Sequence, residues 1–191
     1  MKKQFKKMIK NMLAILFVFC GVGSIKAQNR LYSNDAKISF FSKTALENIE
    51  AENKRALCVW DTATGKLEFS VLIKGFEFDR ALMQEHFNEN YMESDKFPKA
   101  FFKGTLKSDK PMKLLMDNSY MAKADGMLTI HGVTKQVSVP VTISSKNGKI
   151  SSAAVFSVLL SDYNISIPTI VADKINKSIR IAVAVAEYKK L

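Results

Sequence analysis

The chain has 191 residues, 47% of them hydrophobic and 25% charged, which fits one globular domain with a packed core plus a processing segment. Its formal charge of +11 points at first to nucleic acid, but residues 1–27 hold six lysines (Lys2, Lys3, Lys6, Lys7, Lys10, Lys26) and no acid. Without them 23 basic residues face 18 acidic ones, scattered with no long single-sign run, so a nucleic-acid partner is not expected.

The first 27 residues read as an export signal that is removed. Met1 to Lys10 is basic, and Met12–Val22 is an apolar run of 11 residues, short of the about 20 that a membrane helix needs. Ala27 before Gln28 suits cleavage there, although Ile25 is large for its position. A retained anchor is one alternative. Lipid attachment at Cys20 is another, disfavoured by the bulky Phe17-Val18-Phe19 that precedes it. No later stretch is apolar enough for a helical span. Cleavage leaves residues 28–191 as one domain with Cys58 as its lone cysteine, which cannot form an internal disulfide and reads as a small buried hydrophobe on a strand.

Along the mature chain, period-two alternation predicts strands near 36–43, 47–60, 66–76, 99–107, 119–131, 133–145, 149–160 and 178–188. Trp60 closes the second as a core or wall residue, and Thr64-Gly65 marks a turn. In the third strand Leu67, Phe69, Val71 and Ile73 share one face while Glu68, Ser70 and Lys74 share the other. Asp79 then reads as the cap of a short helix beginning RALMQEHF, with Leu82, Met83 and Phe87 at helical spacing. His86 is expected on its exposed side. Asp79, Glu85, Glu89, Glu93 and Asp95 form an acidic group there; paired carboxylates can do acid–base work, but capping and solvated roles are commoner.

Pro98 opens the next strand. Asp125-Gly126 lies inside the alternating run from Tyr120 to Ile130, where a bulge or sharp bend is expected. His131-Gly132 serves the following turn, with the imidazole bonded to backbone. Val137, Val139, Val141 and Ile143 alternate with polar partners, and Asn147-Gly148 is the strongest hairpin signal in the chain, since both residues tolerate positive φ. Ile150, Ala154, Phe156, Val158 and Leu160 share one face of the next strand. Asn164-Ile165-Ser166 fits a glycosylation acceptor pattern, which carries weight only in a eukaryotic host. In the last strand Ile179, Ile181, Val183 and Val185 oppose Arg180, Ala182, Ala184 and Ala186.

About eight such strands suit a sandwich or a barrel, and sequential hairpins can close on themselves and remove exposed edges. An eight-stranded barrel is either just filled or holds one small ligand. Alternation does not say which face points inward: inward alanines would leave room, inward aliphatics would fill it. With two histidines 45 residues apart, and neither HExxH nor a Cys-His cluster, no metal site is expected. Nor is there a G-x-S-x-G, P-loop or dinucleotide fingerprint.

Three segments resemble the YceI-like family of secreted lipid-binding proteins: LMQEHFNENYMESDKFPKAFFKG (82–104), GMLTIHGVTKQVSVPV (126–141) and Ser161-Asp162-Tyr163-Asn164-Ile165. With their order and spacing the resemblance spans nearly all of the mature chain. It implies an all-β, extended eight-stranded antiparallel lipocalin-like barrel with one short helical segment packed on it, bacterial and periplasmic or secreted. It also implies a non-enzymatic role: binding, carriage or sequestration of a polyisoprenoid or other long-chain lipid in an apolar pore, with no cofactor. Tilted strands of about ten residues would make such a pore roughly 25 Å tall. The wall residues expected from the cleanest alternating strands are Phe69, Val71, Ile73, Leu128, Ile130, Val139, Val141, Phe156, Val158, Ile181 and Val183, with the choice of face left open. The rival reading is an envelope structural or stress-related interaction protein whose barrel is filled; an enzyme ranks third, and a homodimer stays open.

Overall fold

The computed structural model describes residues 29–191. The export segment over residues 1–27 and the Cys20 alternative lie outside the described residues. Eight strands form the wall: β1 (Arg30–Lys43), β2 (Asn48–Asp61), β3 (Lys66–Leu72), β5 (Lys99–Ser108), β6 (Asn118–Ile130), β7 (Val133–Lys146), β8 (Lys149–Leu159) and β9 (Ser178–Val185). Each pairs antiparallel with the next, and β9 returns to β1 through Lys37↔Ala184 to Phe41↔Arg180, so the sheet closes into a barrel. Two-residue strands extend it: β4 (Glu77–Phe78) on β2, and β10 (Lys189–Lys190) on β1.

The turns follow from local chemistry. Asn147-Gly148 takes φ of 51° and 75°, a two-residue turn with positive φ at both centres, between the paired Lys146 and Lys149. His131-Gly132 does the same at 49° and 73°. Between β2 and β3 the Asp61 carboxylate accepts the amides of Ala63 and Thr64, both at 3.0 Å, and Gly65 supplies φ of 76°.

Four expectations need correction. β1 begins six residues before the predicted start, with register shifts on either side of Ala36 that keep Ser33-Asn34-Asp35 in the sheet. Asp125-Gly126 makes no bulge: β6 pairs in unbroken register with both neighbours. Gly126 lies opposite Gly104, and a Cβ on it would run into the Lys103 carbonyl and the Gly104 Cα, so glycine answers close approach of two backbones. Asp79 does not cap the helix. Arg80 holds that position without a side-chain bond, and the Gln84 carboxamide instead accepts the Phe78 amide at 3.3 Å. Finally, the strand predicted to reach residue 188 stops at Val185, after which Tyr188 is held by its amide bonding the Ile150 carbonyl at 2.8 Å.

β3 leaves the wall at a 3₁₀ turn, Ile73–Gly75. Asn53, buried in β2, covers the break: its Nδ2 donates to the Leu72 carbonyl at 3.0 Å and its Oδ1 accepts the Arg55 amide at 2.8 Å. The excursion continues through β4 and helix α1 (Ala81–His86), then one wide π turn, Phe87–Tyr91. Phe87 packs against Phe40, Phe76 and Phe78 at ring separations of 5.1–5.8 Å and so seats the helix on the barrel.

Candidate functional site: an apolar cavity inside the barrel

Strand directions place the β1–β2 turn, the helical excursion, the His131-Gly132 turn and the β8–β9 connection at one end of the barrel. The opposite end is packed. Trp60 is fully buried there against Tyr188, with ring centroids 5.6 Å apart, among Leu31, Cys58, Leu67 and Val185. The β5–β6 connection folds over this end. The Tyr120 hydroxyl accepts the Lys113 amide at 2.9 Å, and Ser145 Oγ donates to the Leu114 carbonyl at 2.7 Å.

Between the two ends lies a cavity of about 530 Å³, within the ~300–1,000 Å³ usual for small-molecule sites. The interior is therefore not filled. All eleven expected wall residues line it: Phe69, Val71 and Ile73 from β3 and its turn, Leu128 and Ile130 from β6, Val139 and Val141 from β7, Phe156 and Val158 from β8, Ile181 and Val183 from β9. On β9 the aliphatic face points in and the alanines point out, so the open volume does not come from Ala182, Ala184 and Ala186. It comes from inward Ala100, Ala124 and Ala154, which keep three other strands thin on their inner side.

The sequence reading missed Phe40, Phe76, Phe78 and Phe87, which line the cavity beneath the helix. Three phenylalanines between residues 76 and 87 were a visible signal, but the helical spacing gave no partner for them on β1. Ile143 and Ile179, although in the alternating runs, also line the cavity beyond the chosen set.

Charge on the lining is confined to the loop end: Glu47, Arg80, His86 and Lys174. Arg80 pairs with Glu47, joining the helix to the β1–β2 turn. Asn176 joins the β8–β9 connection to the end of β1: its amide donates to Ser42 Oγ at 2.8 Å and its Nδ2 to the Lys43 carbonyl at 3.1 Å. His86 is exposed and also borders the cavity. His131 does bond backbone, but to a distant one: its Nδ1 meets the Tyr163 carbonyl at 3.1 Å, and its Nε2 meets Glu93 at 2.7 Å. The His131 bond, then Lys96, holds the Glu93 carboxyl below its ordinary range. Asp95 pairs with Lys74 at 2.6 Å, so Glu93 and Asp95 serve separate contacts.

Among the described residues there is no group of three or more His, Cys, Asp or Glu able to hold a metal, and no helix long and apolar enough to cross a membrane. Cys58 is a strand residue with 1% exposure; burial pushes its thiol up to about 12, far from a reactive thiolate.

The YceI-like domain model matches residues 30–186. No curated protein matches the chain. Solved structures share the fold. BcnA of Burkholderia cenocepacia is 19% identical with a TM-score of 0.65, the alignment covering 78% of this chain and 94% of that one. A polyisoprenoid binding domain from Saccharophagus degradans, implicated in plant cell wall breakdown, is 10% identical with a TM-score of 0.73 over 86% of this chain and 99% of its own. The YCEI protein of Campylobacter jejuni is 22% identical with a TM-score of 0.57, over 74% of this chain and 85% of its own. A closed eight-stranded barrel with a helical excursion after its third strand, matched from β1 to the end of β9, places this chain in the YceI-like family.

Proposed function

We propose that the protein binds and carries, or sequesters, one long-chain apolar molecule, a polyisoprenoid or other lipid, outside the cytoplasm and without catalysing a reaction. The observation that carries this is the continuous apolar cavity within the closed barrel, with charge only at its loop end. The Phe69, Val71, Ile73, Leu128, Ile130, Val139, Val141, Phe156, Val158, Ile181 and Val183 side chains would form the hydrocarbon wall. The name of the Saccharophagus domain supports an isoprenoid, and the basic-then-apolar residues 1–22 support a periplasmic or secreted location.

The energetics suffice without polar recognition. Each methylene withdrawn from water contributes about 0.8 kcal/mol, so fifteen give about 12 kcal/mol. Ordering and association cost several kcal/mol of this, and micromolar or tighter binding remains. Such a wall selects by length and width.

Native mass spectrometry of protein purified from its own host tests the reading, and also reads whether the chain forms a homodimer. A co-purifying lipid is the expected result; bare protein that takes up no added long-chain lipid overturns it. Val141→Trp adds an indole inside the wall and is expected to lower lipid uptake at least ten-fold with an unchanged fold by circular dichroism. Val155→Trp, on the outer face of β8, is the control and should leave uptake unaltered.

A further inference from the structure

The floor of the cavity differs from its wall. Ser152 on β8 and Tyr188 after β9 both reach the cavity at the packed end, far from the charged residues of the loops. Ser152 Oγ lies 2.8 Å from the Tyr188 hydroxyl, and Cys58 Sγ donates to that hydroxyl at 3.6 Å. Burial keeps both the thiol and the phenol protonated, the thiol pushed up to about 12 and the phenol far above its ordinary range.

Three hydrogens therefore serve two links. With Cys58 donating to Tyr188, either hydroxyl can donate across the second link; in the arrangement where Tyr188 does, the Ser152 hydroxyl hydrogen is left without an acceptor among the described residues. The Trp60 indole N–H, buried behind the lining, has no acceptor either. The linked groups hold one hydroxyl hydrogen more than they have partners for, and half-buried Ser152 borders the cavity, where a ligand can meet it.

We infer that Ser152 is a hydrogen-bond donor at the floor of the cavity for a neutral acceptor oxygen, a carbonyl, carried on the leading end of the long-chain ligand. This rests on the carrier reading and adds the ligand's polar chemistry and its direction of entry. An anionic head is a poor fit there, because no cation lines the floor to offset its desolvation. A carboxylate or phosphate would stay at the loop end near Lys174.

The test uses three probes on the purified full-length mature chain: a long-chain methyl ketone, the alkane of equal carbon number, and the matching fatty acid, with affinities read by competition in native mass spectrometry. Ser152→Ala is expected to weaken the ketone about five-fold, the worth of one net hydrogen bond, and to leave alkane and fatty acid unchanged. Ser152→Thr keeps the hydroxyl and should restore the ketone preference. Equal losses for ketone and alkane, or no loss for the ketone, overturn the donor role while the carrier reading stands. Failure of all three probes to bind the unaltered protein overturns the carrier reading and this inference with it.

Discussion

Single residues show where alternation is informative and where it stops. Val139 and Val141 on β7, or Ile181 and Val183 on β9, declare by spacing that they share a face, but only closure of the barrel decides that the face is the inner one. Gly126 is the opposite case: its position was legible, and its role was not. Opposite Gly104 and under the Phe102 ring, it leaves no room for a methyl group between two backbones. Gly126→Ala is therefore expected to destabilise the barrel by about 1–3 kcal/mol through overpacking, read as a lowered melting temperature. Wild-type stability in that variant would mean that β5 and β6 can separate at no cost. Glycine in most strands costs only its own entropy, so sequence alone cannot distinguish a tolerated glycine from a required one.

At the scale of elements, the helix and the long connections were visible as breaks in the alternation, but their docking was not. His131 reads as a turn residue, whereas its ring ties three connections together. Nδ1 faces the Tyr163 carbonyl on the β8–β9 side, Nε2 faces Glu93 after the helix, and Phe97 packs on the ring at 4.6 Å. Both ring nitrogens thus meet oxygen atoms on other connections. Partners 32 and 38 positions away leave no periodic trace in the sequence. The depressed Glu93 carboxyl fixes the sign of one pH dependence. Its contribution is fully present above the ordinary carboxylate value of 4.5 and is lost as pH falls through the lower folded value. Glu93→Gln should accordingly lower the melting temperature near neutral pH, and the gap to wild type should close on acidification below about pH 4. A gap that persists unchanged in acid would assign the effect to packing rather than to the ion pair.

The molecule as a whole combines a ring of paired strands and one packed end with a second end made of loops. Eight strands pair around the ring, with β7 and β8 joined only over Val141–Lys146 and Lys149–Ala154, and one end is sealed by Trp60, Tyr188 and the β5–β6 connection. Closure was foreseeable from the strand count; the free volume was not, because it depends on which small residues, Ala100, Ala124 and Ala154, point inward. On the carrier reading a ligand passes the loop end, where the β8–β9 connection is pinned to β1 through Asn176 and the helix to the β1–β2 turn through Arg80 and Glu47. These contacts are exposed or partly exposed and touch little of the wall, so they govern the rate of passage more than the strength of holding. Asn176→Ala removes the Nδ2 bond to the Lys43 carbonyl and the Oδ1 acceptor of the Ser178 amide, while its own backbone bond to Ser42 remains. Loading and release of a long-chain lipid, followed by transfer to acceptor vesicles, should both speed up about five-fold for the loss of about 1 kcal/mol of pinning. The dissociation constant should change less than two-fold, because both directions cross the same opened state. A variant that weakens binding at an unchanged loading rate would show instead that Asn176 contacts the lipid, and that the gate lies elsewhere on the rim.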